Sequence, residues 1–361
     1  MKTRAAVCRE FGQKLSIEDI ELADPGRGEV RVKMKACAIC HSDIFYVDGA
    51  WGGDLPAVYG HEAAGIIDAV GAGVHRVKPG DHVIATLIRN CGFCASCAGG
   101  SPVFCEEVFP LDEATPLHGG NGEPLVHGMR TGAFAEHAVV DQSQVAKIPD
   151  DIAFDSAALI ACGVITGFGA VVNTANVRTG ASVVVIGCGG VGLNSVQGAR
   201  IAGAQPIIAI DIADAKLEAA RAFGATHVVN AKTENVVERI NELTAGRKVD
   251  FAFVTVGIGG AAEQAISLLR KNGAAVLVGM PPNGVTARFD PGWIADDGQR
   301  ILGSKMGSAR LPLDVPKIIE LYREGRLKLD ELISGRYPLD QINEAIASSR
   351  SGAALRNVIV F

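Results

Sequence analysis

The sequence has no excess of positive charge and no apolar leader at its start. Its 361 residues include 34 lysines and arginines against 40 aspartates and glutamates, which gives a formal net charge of −6. A nucleic-acid surface needs clustered cations that displace counterions from phosphates, so this balance argues against one. The chain begins Met-Lys-Thr-Arg, without the apolar run of a secretory signal. We therefore expect a cytoplasmic protein that does not bind nucleic acid.

Charge-free stretches long enough to span a membrane are also scarce. Only 156–177 and 179–199 reach that length, and both are dense in Gly, Ser, Thr and Asn. The second stretch also changes from a β-branched run to glycines halfway. We interpret both as buried segments and expect no membrane partner. The chain also lacks internal repeats and low-complexity segments.

Length and patterning predict two domains, since 361 residues exceed what one ordinary core organises. Up to about residue 150, short apolar runs are separated by turn signals such as Asp24-Pro25-Gly26, which indicates a β-rich domain. From about residue 165, strand-like runs such as Val183 to Ile186 alternate with helical stretches such as Asp214 to Phe223. That alternation predicts a parallel sheet with helices on both faces. The C-terminal stretch returns to short mixed elements and is expected to complete the first domain.

A glycine-rich turn follows the first of these strands and opens a small-residue helix. Gly187-Cys188-Gly189-Gly190-Val191-Gly192 fits G-x-G-x-x-G, whose glycines form the turn, admit a pyrophosphate and allow close helix packing. Asp211 ends the next strand, where a carboxylate can accept the ribose hydroxyls of NAD and repel the 2′-phosphate of NADP. The alternative is a flexible loop followed by a helix-capping aspartate. The shared register of strand, glycines and acid favours an NAD site.

Four of the nine cysteines lie close together, as C-x2-C-x2-C-x7-C. They are Cys91, Cys94, Cys97 and Cys105. Four thiolates can close a tetrahedral shell around zinc with no position left for water, which defines a structural site. An iron–sulfur cluster is the alternative, although its bacterial spacing has a shorter final gap. In a reducing compartment such clustering favours a metal over disulfides.

A second set of candidate ligands is dispersed along the chain. Cys40-His41-Ser42-Asp43 follows a predicted strand, Gly60-His61-Glu62 comes later, and Cys162 stands near the domain junction. A catalytic zinc needs three protein ligands and one open position, which Cys40, His61 and Cys162 could provide. Spacing alone leaves open that these residues fill a core, and for Cys162 taken singly a core role is favoured.

Taken together, these residues resemble the zinc-containing medium-chain alcohol dehydrogenases over nearly the whole chain. The shared segments also include Ala161-Cys162-Gly163, Thr166-Gly167, Asp211 with Lys216, and Ser351-Gly352 with Arg356. The resemblance implies an α/β protein with two domains. A GroES-like β-rich catalytic domain would span 1–163 and 305–361, interrupted by a Rossmann domain with a doubly wound parallel sheet at 164–304. The active site would lie in the cleft between them.

The resemblance also implies a reaction and the residues that perform it. Zinc bound by Cys40, His61 and Cys162 would polarise an alcohol, and NAD would accept hydride, giving an aldehyde or ketone. Asp43 would orient His61, and Glu62 would ligate the catalytic zinc transiently. With the four-cysteine site, the chain would hold two zinc ions.

Further residues would handle the proton and the cofactor. Ser42 would touch the reacting oxygen and pass its proton on. His41 and Arg356 would contact the pyrophosphate, and Lys216 the adenosine ribose. The full implied cofactor set is His41, Thr166, Gly187, Gly189, Gly190, Val191, Gly192, Asp211, Lys216, Val278 and Arg356.

Several positions depart from common members of the family. Phe45 stands where many have a His that ends the proton relay, and Phe109 stands where the glutathione-dependent formaldehyde branch has an Arg. That branch also has acidic residues where this chain has Ala50 and Gly52. The positions that line the family's pocket carry apolar side chains: Trp51, Leu87, Phe134 and Met280. These departures favour an apolar or aromatic alcohol over a glutathione adduct.

The alternatives are other activities or no activity. A glutathione-dependent formaldehyde (S-hydroxymethyl glutathione) dehydrogenase and a zinc-free quinone or enoyl reductase belong to the same superfamily. A zinc-ribbon interaction module is opposed by the acidic charge and the glycine fingerprint. A structural protein that kept the fold is opposed by the intact ligand set. The family forms dimers and tetramers, and the long segment 106–131 favours a homodimer over a homotetramer.

Overall fold

The computed structural model describes all 361 residues and divides them into two compact units. Unit 1 comprises Met1–Cys162, Arg310–Gly325 and Leu329–Phe361, and unit 2 comprises Gly163–Ala309 and Arg326–Lys328. Residues 305–309, which we predicted in the first domain, belong to unit 2. The reason is close packing, since a Cβ on Gly169 would lie 2.4 Å from the carbonyl oxygen of Gly307.

The strands are numbered β1 to β18 in chain order. In unit 1 they are β1 (Lys2–Cys8), β2 (Ser16–Leu22), β3 (Glu29–Ala38), β4 (Ala57–Val58), β5 (Glu62–Val70), β6 (His82–Thr86), β7 (Leu117–His118), β8 (Val126–His127), β9 (His137–Asp141), β10 (Val145–Lys147), β17 (Ile333–Pro338) and β18 (Arg356–Val360). In unit 2 they are β11 (Val183–Ile186), β12 (Ile207–Asp211), β13 (His227–Asn230), β14 (Val249–Val254), β15 (Leu269–Leu277) and β16 (Arg300–Gly303).

The helices are numbered in the same way. Unit 1 contains α1 (His41–Val47), α2 (Ala95–Ala98), α3 (Pro110–Glu113), α4 (Phe154–Leu159), α11 (Leu311–Arg323) and α12 (Ile342–Arg350). Unit 2 contains α5 (Ile165–Gly169), α6 (Gly190–Ile201), α7 (Asp214–Phe223), α8 (Val236–Leu243), α9 (Gly259–Ser267) and α10 (Pro291–Asp296).

Unit 1 is built on two sheets of short strands. One has the order β7-β2-β1-β4-β8, and the other has the order β10-β6-β5-β3-β18-β17 with β9 also paired to β3. The C-terminal strand β18 runs antiparallel to β3, pairing Val358 with Ala38 and Val360 with Ala36. This pairing explains why the end of the chain completes the first unit. It also fixes the end of β3, which leads directly into Cys40.

Unit 2 is a parallel sheet in the order β13-β12-β11-β14-β15-β16. Its strands are short apolar runs, and every residue of β11 is buried, as expected where helices cover both faces. The strand order reverses at β11, and ligands of such sheets bind outside the carboxyl ends of the strands at that point. The glycine-rich turn follows β11 directly, so the fold places it at the expected binding edge.

One helical segment, Phe154–Thr174, is long and apolar enough to cross a membrane by length and composition. It has 21 residues, and 83% of its most apolar window is buried inside the protein. Burial of this kind is typical of a core helix, so the segment is weak evidence for a membrane span. The other charge-free stretch, 179–199, contains β11 and part of α6 rather than one helix.

Candidate metal centres and cofactor site

Three buried side chains from distant parts of the sequence meet in unit 1. Cys40 follows β3, His61 precedes β5, and Cys162 lies in the helical turn after α4. Their ligand atoms all lie within 4.8 Å of one another, and His61 Nε2 is 3.2 Å from Cys162 Sγ. A tetrahedral zinc with bonds of about 2.0–2.3 Å separates neighbouring ligand atoms by roughly 3.5 Å. The donor set and its spacing therefore fit zinc with one position left open.

The Asp43 carboxylate holds this cluster together from behind. It is 1% exposed and accepts three bonds: from Cys40 N at 3.1 Å, Gly60 N at 3.0 Å and His61 Nδ1 at 2.9 Å. The first bond caps α1, because Asp43 is the third residue of that helix and reaches back to its N-cap. The third requires the proton on Nδ1 and leaves the Nε2 lone pair for a metal.

The cluster attracts positive charge. Hydrogen bonds from Cys162 and His61 outweigh burial and hold the pKa of the Cys40 thiol well below its usual range. Burial lowers the pKa of His61, but the Asp43 carboxylate and the Cys40 thiolate outweigh it and raise that pKa well above its usual value. A buried site that favours a thiolate and a cation beside it has the electrostatics that a divalent metal needs.

Glu62 and Arg356 form a buried ion pair near these ligands. Arg356 Nη2 donates to Glu62 Oε2, and the two side chains are 7% and 0% exposed. Burial opposes the charge on Arg356, but Glu62 and the two thiols together raise its pKa above the usual value. The Glu62 carboxylate is thus paired with Arg356 next to the three-donor cluster, and its transient ligation of the metal stays a prediction. The predicted contact of Arg356 with a pyrophosphate stays a prediction.

The four clustered cysteines also converge, in a segment that we call the zinc lobe, residues 91–108. All four sulfurs lie within 4.8 Å of one another, and the pairs Cys91–Cys97 and Cys94–Cys105 are each 4.0 Å apart. A tetrahedral zinc with Zn–S bonds of about 2.3 Å separates its sulfurs by about 3.8 Å. Backbone N–H groups of Glu106 and Cys97 donate to Cys94 Sγ and lower the pKa of that thiol to about 7. The lobe is preorganised for a closed four-thiolate site.

The glycine-rich turn in unit 2 has the shape that a dinucleotide needs. Gly187 has a φ of +94° and makes the turn after β11. A Cβ on Gly189 would meet nothing within 4 Å, so the backbone is open to a ligand there, and no side chain caps the start of α6. A Cβ on Gly192 would lie 1.8 Å from the carbonyl oxygen of Gly187, so only glycine allows this helix to pack so closely. The free helix start favours a phosphate.

Asp211 ends β12 beside this turn. Its Oδ2 accepts from Cys188 N at 2.7 Å, and its Oδ1 accepts from Ile212 N at 2.8 Å and Ala213 N at 3.1 Å. The carboxylate is therefore held in place next to the turn. Lys216 follows in the first turn of α7 and is half-buried.

The remaining predicted residues are spread over both units. Ser42 is half-buried and His41 is exposed, both on the first turn of α1. Thr166 is 7% exposed in α5 and donates to Met306 Sδ, and Val278 follows β15 and is 8% exposed. Of the residues expected at the substrate pocket, Phe134 is 0% exposed in the core of unit 1 and Met280 is 61% exposed in unit 2.

The sequence analysis did not identify two residues that support these sites, Thr255 and Arg89. Thr255 follows β14, and its Oγ1 donates to the carbonyls of Ile186 and Gly187 at 3.0 and 2.8 Å, which supports the glycine turn. Arg89 is fully buried just before the zinc lobe. A polar residue ending an apolar strand was a usable signal for Thr255. For Arg89 the only signal was a charged residue closing a buried strand run.

Two family models match the chain. The alcohol dehydrogenase GroES-like domain matches residues 26–150, and the zinc-binding dehydrogenase domain matches residues 190–324. The first segment covers β3 to β10 of unit 1, and the second covers α6 to β16 of unit 2 together with all of α11. The two matches agree with the folds seen in each unit.

Full-length relatives carry related names. The chain is 38% identical over 373 residues to an NDMA-dependent alcohol dehydrogenase of Amycolatopsis methanolica, covering 100% of this chain and 99% of the relative. It is 37% identical over 376 residues to an S-(hydroxymethyl)glutathione dehydrogenase of Paracoccus denitrificans, with 100% of both chains covered. The crystal structure of benzyl alcohol dehydrogenase from Acinetobacter calcoaceticus superposes with a TM-score of 0.93 at 33% identity, covering 100% of this chain and 99% of that one.

Asp43→Asn should weaken the Cys40–His61–Cys162 site. The amide keeps one acceptor oxygen but presents an NH2 group to one of three buried N–H donors, which disturbs either the helix cap or the histidine tautomer. Loss of such an outer partner typically costs about 10–100-fold in metal affinity or activity. Competition with a chelator, followed by metal analysis, would measure the affinity. Asp48→Asn, just after the same helix, is the control, and equal affinities in both variants would contradict the prediction.

Proposed function

Because the chain belongs to the zinc-containing medium-chain alcohol dehydrogenase family and is therefore an oxidoreductase, we propose that it transfers hydride between an apolar or aromatic alcohol and NAD. It uses one catalytic and one structural zinc per chain. The observation that carries this proposal is the buried set of Cys40, His61 and Cys162, anchored by Asp43 and offering three ligands rather than four. A zinc-free quinone or enoyl reductase would have no use for such a set.

Residues of α1 determine how a proton leaves the reacting oxygen. When bound, zinc supplies Lewis acidity toward an alcohol or carbonyl oxygen, and NAD supplies the hydride acceptor. Ser42 Oγ has one proton to pass and can accept another, so it conducts a proton without storing it. Phe45 on the same helix offers no titratable group, and the exposed His41 is the imidazole nearest in sequence. The proton therefore leaves Ser42 toward water or toward His41.

Aromatic contacts near α1 support an apolar substrate. The Phe45 ring lies edge-on to Trp51 with centroids 5.3 Å apart, and Tyr46 contacts Trp51 at 5.1 Å. Trp51 is held by these rings on a segment flanked by Gly49 and Gly52. Edge-on aromatic packing favours a further ring or an alkyl chain over a charged group. The benzyl alcohol dehydrogenase structure, with its similar fold, supports an aromatic alcohol as substrate.

The alternative glutathione-dependent formaldehyde activity has relatives in its favour, since S-(hydroxymethyl)glutathione dehydrogenases of Paracoccus denitrificans and Saccharomyces cerevisiae are each 37% identical to this chain. The local structure opposes it. Phe109 occupies the position where that branch carries an arginine, and the nearby Arg89 guanidinium, 5.5 Å from the Phe109 ring centroid, is fully buried. Its Nε and Nη2 donate to protein oxygens and its Nη1 faces the Asp112 carboxylate, so it offers no site for the carboxylates of glutathione.

The preference for NAD rests on Asp211. Its carboxylate is fixed at the end of β12 by three backbone N–H groups and lies next to the glycine turn. A fixed negative charge accepts hydroxyl donors and repels a phosphate. The proposal therefore assigns the adenosine ribose of NAD to this position.

We also propose a cytoplasmic homo-oligomer. The free zinc ligands require a reducing compartment, and all nine cysteines are free in the structure. Strand β16 is an edge of the unit 2 sheet, and exposed apolar side chains cluster in the sequence around it: Met280, Val285, Phe289, Trp293 and Ile301. Exposed apolar residues beside an open strand edge are typical of a subunit interface.

We expect two zinc ions per chain in freshly purified, unchelated protein. Cys94→Ser should remove one zinc and lower stability, because closed thiolate sites contribute directly to folding. His61→Ala should remove the other zinc and abolish turnover while the protein stays folded, with a lower unfolding midpoint because the buried Asp43 carboxylate loses one of its three donors. Elemental analysis of the three proteins measures this. A wild-type value of one or none would contradict the two-site proposal.

Asp211→Ser should reduce the preference for NAD. A hydrogen bond to a charged group contributes about 1.5–3 kcal/mol, so kcat/KM with NAD should fall by about tenfold or more, while repulsion of NADP is relieved. The measurement is kcat/KM for both cofactors in both proteins. Lys328→Ser, elsewhere in unit 2, serves as the control. Wild-type preference for NADP would refute the assignment.

Benzyl alcohol should be oxidised with a kcat/KM about tenfold or more above that of ethanol. The expectation follows from burying additional apolar carbon, each CH2 contributing about 0.8 kcal/mol. Formaldehyde oxidation should not respond to added glutathione, and Phe109→Arg tests whether an exposed cation changes that. Strong dependence of the wild-type enzyme on glutathione would favour the glutathione-dependent activity and contradict the proposed oxidation of apolar or aromatic alcohols.

A further inference from the structure

We propose that Arg89 is a positioning residue that clasps both ends of the zinc lobe and sets how slowly the lobe releases its metal. The proposal rests on the structural zinc proposed above. It concerns a residue outside the ligand set and outside the reacting centre. The juxtaposition that carries it is one buried guanidinium between the chain entering the lobe and the chain leaving it.

Arg89 lies two residues before Cys91, the first ligand of the lobe. Its side chain is 0% exposed, although arginine is almost never fully buried unless it is paired. The neighbouring residue Asn90 is also tied down, since its N–H donates to Ser143 Oγ at 2.9 Å. The chain therefore enters the lobe from a fixed point.

On the entry side, Arg89 binds the body of unit 1. Its Nε donates to Gln144 Oε1 at 2.8 Å, and its Nη2 donates to the carbonyl oxygen of Arg130 at 3.3 Å. Gln144 is itself buried and donates to the carbonyls of Thr86 and Arg130, each at 2.8 Å. The side chains of Arg89 and Gln144 thus hold the same carbonyl from two directions.

On the exit side, the same guanidinium contacts the chain after the last ligand, Cys105. Arg89 Nη1 lies 3.0 Å from Asp112 Oδ1, and the guanidinium carbon is 5.5 Å from the ring centroid of Phe109. Asp112 Oδ2 accepts from Phe109 N at 3.1 Å, which closes the start of α3. The residues leaving the lobe are consequently held against Arg89 by an ion pair and by a ring.

The carbonyl that Arg89 holds belongs to a strained turn. Met129 and Arg130 both have positive φ, +50° and +60°, a conformation that is unfavourable for a residue other than glycine. Arg130 also shares the Asp112 carboxylate, with its Nε 3.0 Å from Oδ1. Two cations therefore depend on one carboxylate, and the arrangement persists because the surrounding contacts fix it.

The consequence for the metal is kinetic. The four cysteines are only half-buried, so the thiolates themselves are accessible to a chelator. Four ligands separate more easily when the two ends of the lobe can move apart, and Arg89 joins those ends through one rigid fork. Lysine cannot replace it, since an ammonium group lacks the planar donors that reach Gln144, Arg130 and Asp112 together.

The test is zinc release from the holoenzyme to a chromogenic chelator. Arg89→Gln should release one of its two zinc ions about tenfold or more faster than wild type, and Arg89→Lys should also release it faster. The second zinc should leave at the wild-type rate in both variants. Arg130→Gln is the matched control, because Arg130 also pairs with the Asp112 carboxylate but is 45% exposed. Zinc release from this variant should stay close to the wild-type rate.

The outcomes distinguish a change confined to the zinc lobe from a general loosening of the protein that would release both zinc ions faster. Unchanged release in folded Arg89 variants would overturn the proposal, and so would equal acceleration of both zinc ions. If Arg89→Gln does not fold, Phe109→Ala removes the ring contact alone and should still accelerate the release of one zinc. A wild-type enzyme with fewer than two zinc ions would refute the structural zinc itself, whereas two zinc ions with uniform release would refute only the role of Arg89.

Discussion

The buried carboxylate of Asp43 is the interaction on which the catalytic centre depends. It ties the start of α1 to the loop before β5 and fixes the ring of His61, so two separate chain segments are set by one group. The burial of this carboxylate would be costly without its three donors. Because all three are present, the carboxylate can stay charged inside the protein and hold His61 and the start of α1 in place.

The two metal centres differ in how their ligands reach one another. The zinc lobe collects its ligands from 15 consecutive residues, and backbone N–H groups point at the sulfurs. The buried centre instead needs two strands and a helical turn to bring Cys40, His61 and Cys162 together. A local site depends on how the ends of its loop are held, which is the part played by Arg89, whereas a dispersed site depends on the whole of unit 1.

Local signals allowed much of the fold to be predicted. Val183–Ile186 and Asp214–Phe223 form a strand and a helix with the bounds expected from their patterns, because β-branched runs and amphipathic spacing are short-range features. The glycine turn and the four-cysteine set could also be predicted from their spacing, whereas the dispersed ligands Cys40, His61 and Cys162 were assigned through the family resemblance. The unit boundary at residue 309 was less accessible, because it follows from the close approach of Gly169 and Gly307 across the fold.

Contacts between residues far apart in the sequence could not be predicted from such local patterns. Phe134 was expected at a pocket from its position in the family, yet it lies in the core, where its N–H donates to the Tyr59 carbonyl. Glu62 was expected near the metal, and its buried ion pair with Arg356, 294 residues further along the chain, was not predicted. Periodicity carries no information on such partners.

The pairing of β18 with β3 has a consequence for the order in which the molecule can be assembled during synthesis. Residues 36–38 acquire their β18 partners only when residues 358–360 have been made, whereas the sheet strands of unit 2 are all complete by residue 303. On the ribosome, unit 2 can close while part of β3 is still an open edge. Cys40, which follows that strand, therefore reaches its final surroundings only after nearly the whole chain has been synthesised.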